Sequence, residues 1–354
     1  MSETLERAQT QVGAPTETDS FRPKRPISDA VPLDPWYVVR MVLFGAYAVA
    51  YVWWFITEGL IIDRISVGIS VIVFILIGHL GRPVRRWGWL LFDLACYCVM
   101  WFCYEQSRGW ADRAGFDLQV EAPRNIDRFL FLGTDPNVWM QRQFYDPKTI
   151  HWYDNVASTT YFTHFIFPVI AIAVVWVTSH REWARFMKRF ASLLIVACAG
   201  FVLLPTAPPW MAADRKTYHY QIIAPLARHT GRGFRDLGMK GFVNQWQSAL
   251  DWGNAVAAMP SLHSAFSLFV PAFFLPRIKW KWLKAVVLCF PVIMLTSLVY
   301  FGEHWVIDGL VGWTLVGLSF LFWGWFENRQ RRVRAGRARV ILGISGNIKP
   351  VVAP

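Results

Sequence analysis

The sequence predicts an all-α, polytopic integral membrane protein, a bundle of about eight transmembrane helices. Three observations predict it. Of 354 residues, 55% are hydrophobic and only 17% are charged, with 16% aromatics that include 20 tryptophans. A soluble chain carries about 25% charged residues, and Trp favours the membrane–water interface. Apolar blocks recur along the chain near the roughly 20-residue length that a membrane-crossing helix needs. Basic residues gather in alternate gaps between those blocks, as cytoplasmic loops do. Bulk disorder and a small disulfide scaffold are excluded by the aromatic content and by five cysteines in 354 residues.

The elements follow in order. Residues 1–35, polar and rich in Pro, Thr and Glu, read as a disordered cytoplasmic tail. No cleavage site follows the first apolar block, so it reads as a retained span. Tyr37–Thr57, Ile65–Leu80 and Trp87–Tyr104 form an N-terminal group of transmembrane helices over 36–104. Residues 105–156 follow as an extracytoplasmic interfacial segment. There, Thr134-Asp135-Pro136 reads as the cap and first turn of a short helix, and Phe129, Leu130, Val138 and Trp139 suit an interface. Ala157–Ser179, Phe190–Leu204, Pro260–Pro276, Ala285–Phe301 and Val306–Phe326 then build a membrane core over 157–326, with an outer loop at 205–259. Residues 327–354 read as a basic cytoplasmic tail. Backbone in hydrocarbon must be paired internally, so the spans should be helices.

Charge orients the bundle. Arg22, Lys24 and Arg25 precede the first span; Arg82, Arg85 and Arg86 follow the second; Arg181, Arg185, Lys188 and Arg189 follow the fourth; Arg277, Lys279, Lys281 and Lys284 follow the sixth; and Arg329 to Arg339 follow the eighth. The clusters alternate strictly, which puts both termini in the cytoplasm. The two long outer segments are nearly neutral. The formal net charge of +12 is therefore topological, and a nucleic-acid partner is not expected. The expected partners are membrane lipids. Short polar loops point to a bacterial inner (plasma) membrane. The cysteines, Cys96, Cys98, Cys103, Cys198 and Cys289, all lie in apolar spans and read as small buried hydrophobes. Asp93, within the third span, reads as a structural bond to a neighbouring helix.

Two short stretches carry chemistry, and both fall at the outer membrane face. In Tyr300-Phe301-Gly302-Glu303-His304-Trp305-Val306-Ile307-Asp308-Gly309, His304 and Asp308 stand four apart at a helix start, on one face. A carboxylate that accepts from one imidazole nitrogen leaves the other with its lone pair free, as a nucleophilic histidine requires. The plain alternative is a His–Asp pair that anchors a helix end. In Ala258-Met259-Pro260-Ser261-Leu262-His263-Ser264, Pro260 suits a first helical turn, and Ser261 and Ser264 beside free N–H groups suit an anion. His263 there could protonate a departing alkoxide; the alternative is a Ser cap with an interfacial histidine. Together they fit phosphoryl transfer through a phosphohistidine.

These stretches resemble the second and third motifs of the type 2 phosphatidic acid phosphatase superfamily, P-S-G-H and S-R-x5-H-x3-D. Here they stand as Pro260-Ser261-Leu262-His263 and His304-x3-Asp308. Leu262 replaces the glycine, Leu298 stands where the arginine belongs, and the first motif, K-x6-R-P, is missing on the outer side. The departures resemble the inositol phosphorylceramide synthase branch, which is also similar at Leu204-Pro205-Thr206-Ala207-Pro208-Pro209-Trp210 and at Tyr161-x2-His164. The resemblance covers roughly residues 125–326. It implies a six-helix phosphatase-like core in which His304 is the nucleophile, Asp308 orients it and His263 is general acid, then base. It implies that Ser261, Ser264 and the helix start hold phosphate, and that Tyr161, His164 and Trp210 meet substrate. The substrate class is a lipid phosphate. The acceptor decides between a phosphotransferase, which the branch favours, and a phosphatase; a non-catalytic lipid transporter or scaffold is the rival from another class. Without the motif arginine, cations must come from the outer loops. Arg215 and Lys216 head a group with Arg228, Arg232, Arg235 and Lys240, behind which stand Arg124, Arg128 and Arg142. His151, His219 and His229 read as bystanders. No metal-ligand cluster is evident, so neither metal nor cofactor is expected.

Overall fold

The structure, a computed structural model, describes residues 35–58, 64–111, 113–236, 243 and 256–341. Described elements are α1 (Tyr37–Glu58), α2 (Arg64–His79), α3 (Val84–Ala111), α4 (Glu121–Leu130), α5 (Pro136–Phe144), α6 (Trp152–Thr178), α7 (His180–Leu203), α8 (Pro209–Ala212), α9 (Arg232–Asp236), α10 (Leu262–Phe274), α11 (Lys281–Tyr300) and α12 (Val306–Ile341). Apart from isolated bridges, no strand occurs among the described residues. The fold is an all-α polytopic membrane protein.

Among the described residues, six helices are long and apolar enough to cross a membrane: Tyr37–Trp54, Trp87–Tyr104, Trp152–Trp176, His180–Leu203, Lys281–Tyr300 and Val306–Gly336. The other two expected spans are shorter. In α2 the apolar run is Ile69–His79, and α10 has 13 residues before a 3-10 turn at Leu275–Arg277. The expected fifth span was short for a different reason. Ser179 alone separates α6 from α7, and its hydroxyl accepts from Glu182 N–H at 3.4 Å. The stretch with Arg181, Arg185, Lys188 and Arg189 is thus the start of α7 and not a loop. Likewise α12 runs on to Ile341, so the first part of the basic tail is helical. Most of the expected N-terminal tail and residues 342–354 lie outside the described residues.

The centre of the bundle is α10. It packs against α6, α7, α11 and α12, while α3 leans on α7 and α1 on α2. Phe186, Phe190, Leu193, Phe201, Phe269, Phe273 and Val316 fill the core between α7, α10 and α12. At the end away from the two motifs, Glu327 of α12 takes both Nη atoms of the buried Arg189 at 3.0 Å and Arg185 at 3.3 Å. Asp93 of α3 meets His180 Nε2 of α7 at 3.3 Å, the inter-helix bond expected of it. At the motif end, Thr206 lies between Gln119 and Ala257 in two parallel bridges, so the two long segments are stitched together there. Phe129 and Leu132 are 82% and 96% exposed, so the end of α4 offers an apolar surface, whereas Val138 turns inward.

Candidate active site

α10 opens at Ser261, whose hydroxyl accepts from Ser264 N–H at 3.3 Å. The Ser264 hydroxyl donates to Gly309 O at 3.3 Å, and Ser261 N–H donates to Asp308 O at 3.0 Å. Both serines are fully buried. The Ser264 hydroxyl and the Ser261 backbone N–H lock α10 to α12, while the Ser261 hydroxyl caps α10, and an N-cap serine is the local reason that the helix starts here. The α11–α12 turn carries the second motif. Gly302 sits there at φ 71°, a left-handed conformation that glycine tolerates best. His304 Nδ1 faces Asp308 Oδ2 at 3.4 Å, and the same oxygen accepts from Trp305 N–H at 2.9 Å. Asp308 is wholly buried and His304 nearly so.

The two imidazoles meet. The ring centroids of His263 and His304 lie 5.5 Å apart, tilted by 59°. Tyr161 and His164, one helical turn apart on α6, stack on the His263 ring at 4.7 Å and 3.9 Å. A nucleophile candidate with its carboxylate behind it thus faces a second imidazole held by aromatic stacking.

A profile described as the PAP2 superfamily matches residues 125–322 of this chain. The chain belongs to the PAP2 superfamily. It is also 23% identical over 275 residues, 75% of this chain and 85% of the relative, to a phosphoinositol dihydroceramide synthase of Bacteroides thetaiotaomicron. No solved structure matches it.

Within this PAP2 chain, the missing arginine has a packing counterpart. Leu298 is fully buried with Tyr161, Met294 and Phe301. Of the loop cations, Arg215 and Lys216 are exposed on the turn where Asp214 accepts from Lys216 N–H at 2.7 Å. Thr217 N–H donates to the same oxygen at 3.0 Å, and this bond, with the Lys216 one, holds the Asp214 carboxyl below its usual range. Arg228 comes closer to the motif: its guanidinium binds Glu303, the neighbour of His304, at 2.7 and 3.3 Å and lies 4.4 Å over the Trp210 ring. Trp210 N–H in turn donates to Gly302 O at 2.9 Å. Arg232 donates to the carbonyls of Asp146 and Thr149. Arg124 binds Asp135 at 2.9 and 3.0 Å, and Arg128 binds Gly133 O. Arg142 and Arg235 are exposed, and Lys240 lies outside the described residues. His229 is buried against Tyr145, Tyr300 and Phe301, where desolvation pushes its pKa down to about 4. Among the described residues no group of three or more His, Cys, Asp or Glu is placed to hold a metal ion.

Sequence reading missed the residues that hold the motif turn. Asp127 of α4, wholly buried, accepts from Val306 N–H at 2.8 Å and Ile307 N–H at 2.9 Å. Burial pushes its carboxyl up to about 6, against the pull of those two bonds. Asn137 of α5 donates to Val299 O and His304 O at 2.9 and 3.0 Å. Gln141 donates to Tyr300 O and Ala227 O, both at 2.9 Å. Trp305 is fully buried, with its indole N–H on Ala207 O at 2.8 Å. The one available signal was a polar residue interrupting an amphipathic segment, which does not name its distant partner.

Proposed function

We propose that this chain is a lipid phosphotransferase that works through a phosphohistidine at the extracytoplasmic face of a membrane. The observation that carries the reading is the approach of His263 to His304, with Asp308 on the far nitrogen of His304. Asp308 holds Nδ1–H, which leaves the Nε2 lone pair for phosphorus. Nε2 attacks in line, the bond from phosphorus to the leaving lipid oxygen breaks, and that oxygen takes a proton from His263. An acceptor hydroxyl then yields its proton to His263 and displaces His304 from phosphorus. The contact between Asp308 and His304 is long for a hydrogen bond at 3.4 Å, and such contacts commonly shorten once substrate is bound.

Charge on the transferred oxygens needs cations. Arg228, joined to the motif through Glu303 and braced on Trp210, is better placed for this than the exposed Arg215 and Lys216. Tyr161 and His164 keep the His263 ring in its plane. A hydroxyl acceptor is favoured over water by the burial of His304 and by the likeness to a synthase that builds a phosphoinositol lipid.

Purified protein in detergent is given phosphate-labelled phosphatidic acid or phosphatidylinositol, with and without dihydroceramide. A labelled product lipid and an acid-labile labelled protein are expected. His304→Ala should abolish both, and His263→Ala should slow turnover by about 10²–10⁴-fold. Free phosphate from phosphatidic acid, or inositol phosphate from phosphatidylinositol, as the sole product would assign hydrolysis. Full activity in the His304 variant would remove the mechanism, and no reaction with any lipid would leave the scaffold reading.

A further inference from the structure

We propose that Asp127 is the positioning residue of the nucleophile turn: a carboxylate delivered from α4 that caps α12 and so fixes how His304 and Asp308 face each other. The inference rests on the reading of His304 as nucleophile.

The need for such a residue comes from the turn itself. The first N–H groups of a helix have no partner within it. A helix usually solves this with a Ser, Thr, Asp or Asn at the N-cap, which bonds the N–H groups of the first turn. In a capping box, the residue at the third position bonds back to the cap N–H. α12 carries only the second half of that device. Asp308, its third residue, accepts from Trp305 N–H at 2.9 Å. The cap position is Trp305, whose side chain has no acceptor and is spent on Ala207 O. Val306 and Ile307 N–H would therefore be orphaned in a half-buried place. Asp127 meets one with each oxygen, at 2.8 and 2.9 Å, from 179 and 180 residues earlier in the chain.

The consequence for His304 is direct. Asp308 Oδ2 serves both Trp305 N–H and His304 Nδ1, while Asp308 Oδ1 is buried with no hydrogen-bond partner among the described residues. Without Asp127, the carboxylate that already serves this turn, through Trp305 N–H, is Asp308. Recruiting it would turn the carboxylate away from the imidazole. On the other side of the turn, Asn137 donates to His304 O, so the backbone of the nucleophile is gripped from both directions by the α4–α5 segment. No basic side chain pairs with Asp127 among the described residues, so the helix amides are the partners its charge has.

The test uses the full chain in detergent, Asp127→Asn and His304→Ala beside wild type, with phosphatidylinositol labelled at phosphorus as donor and orthovanadate as a turnover-independent probe of the transferring geometry. Asp127→Asn keeps size and one acceptor. It is expected to cut kcat and the rate of protein labelling by about 10–100-fold, the scale of an ångström of misplacement. KM should stay within about twofold, and vanadate should bind about 10-fold more weakly. A merely structural role would lower the amount of folded protein and leave the folded fraction with wild-type kcat and vanadate affinity, and that result overturns the proposal. If Asp127→Asn does not fold, Asp127→Glu replaces it: slowed labelling with the fold retained supports the proposal, and a wild-type labelling rate overturns it. Failure of the underlying reading looks different, because wild type would then neither label nor bind vanadate, or His304→Ala would still label.

Discussion

Gly312 lies where α12 crosses the start of α10, and adding one methyl there tests whether the histidines depend on that crossing. A Cβ on Gly312 would lie 2.6 Å from the backbone oxygen of Ser261 and 3.4 Å from Ala265. The oxygen belongs to the helix cap and has no flexible end to swing aside. Reaching ordinary contact at 3.4 Å requires the helices to part by about 0.8 Å. Overpacking of that kind costs about 1–3 kcal/mol. It also strains the bond from Ser261 N–H to Asp308 O and widens the 5.5 Å separation of the two imidazoles. Displacement near 1 Å costs about 10²-fold in rate. Gly312→Ala is therefore expected to lower the melting temperature in detergent and to cut turnover of labelled lipid by roughly 10–100-fold. Lower stability with undiminished kcat would refute the link between the crossing and the histidines. Wild-type values of both would refute the close approach itself.

Two further perturbations probe the frame around the site. His229 is 8% exposed, and burial holds its pKa at about 4 against an ordinary 6.5. The unfolded chain then binds the extra proton first, so the stability that neutral His229 contributes is whole above about pH 6.5 and is lost as pH falls toward about 4. The difference amounts to about 3 kcal/mol; melting curves of wild type should fall more steeply over that window than those of His229→Phe, and parallel curves would refute the assignment. At the opposite end of the bundle, Glu327→Gln takes the charge from a partner that meets Arg189 twice at 3.0 Å, with the Arg189 side chain 6% exposed. Leaving that cation buried should cost about 3 kcal/mol in chemical or thermal unfolding, with KM and kcat of the remaining folded protein unchanged.

Much of the membrane fold was legible because its cause is local. An apolar run must be helical in hydrocarbon, whatever surrounds it: α1, α3 and α12 contain the blocks read from the sequence, and α6 and α11 contain theirs but for the last residue, Ser179 and Phe301. Boundaries were less legible where a helix continues past the apolar block: the basic stretches of α7 and α12 looked like loop and tail by charge, yet backbone hydrogen bonds extend the helices through them. At the site, the spacing of His304 and Asp308 already placed both on one face, and the structure keeps them at 3.4 Å. The serines of the first motif suggested an anion cradle, whereas their hydroxyls cap α10 and bond α12. Nothing in spacing could single out Arg228 among the loop cations, since its partner Glu303 stands 75 residues away.

Composition, apolar period and the two short motifs determined by themselves that this chain is a helical membrane protein that sets a histidine at each of two helix starts, because hydropathy and i,i+4 geometry act within one segment. Only the tertiary structure decided that His263 and His304 share one place, that Tyr161 and His164 brace the first, and that Asp127 and Asn137 grip the turn beneath the second. Those contacts join segments up to about 180 residues apart. They form where packing leaves buried amides and carbonyls that must find partners, wherever in the chain those partners lie.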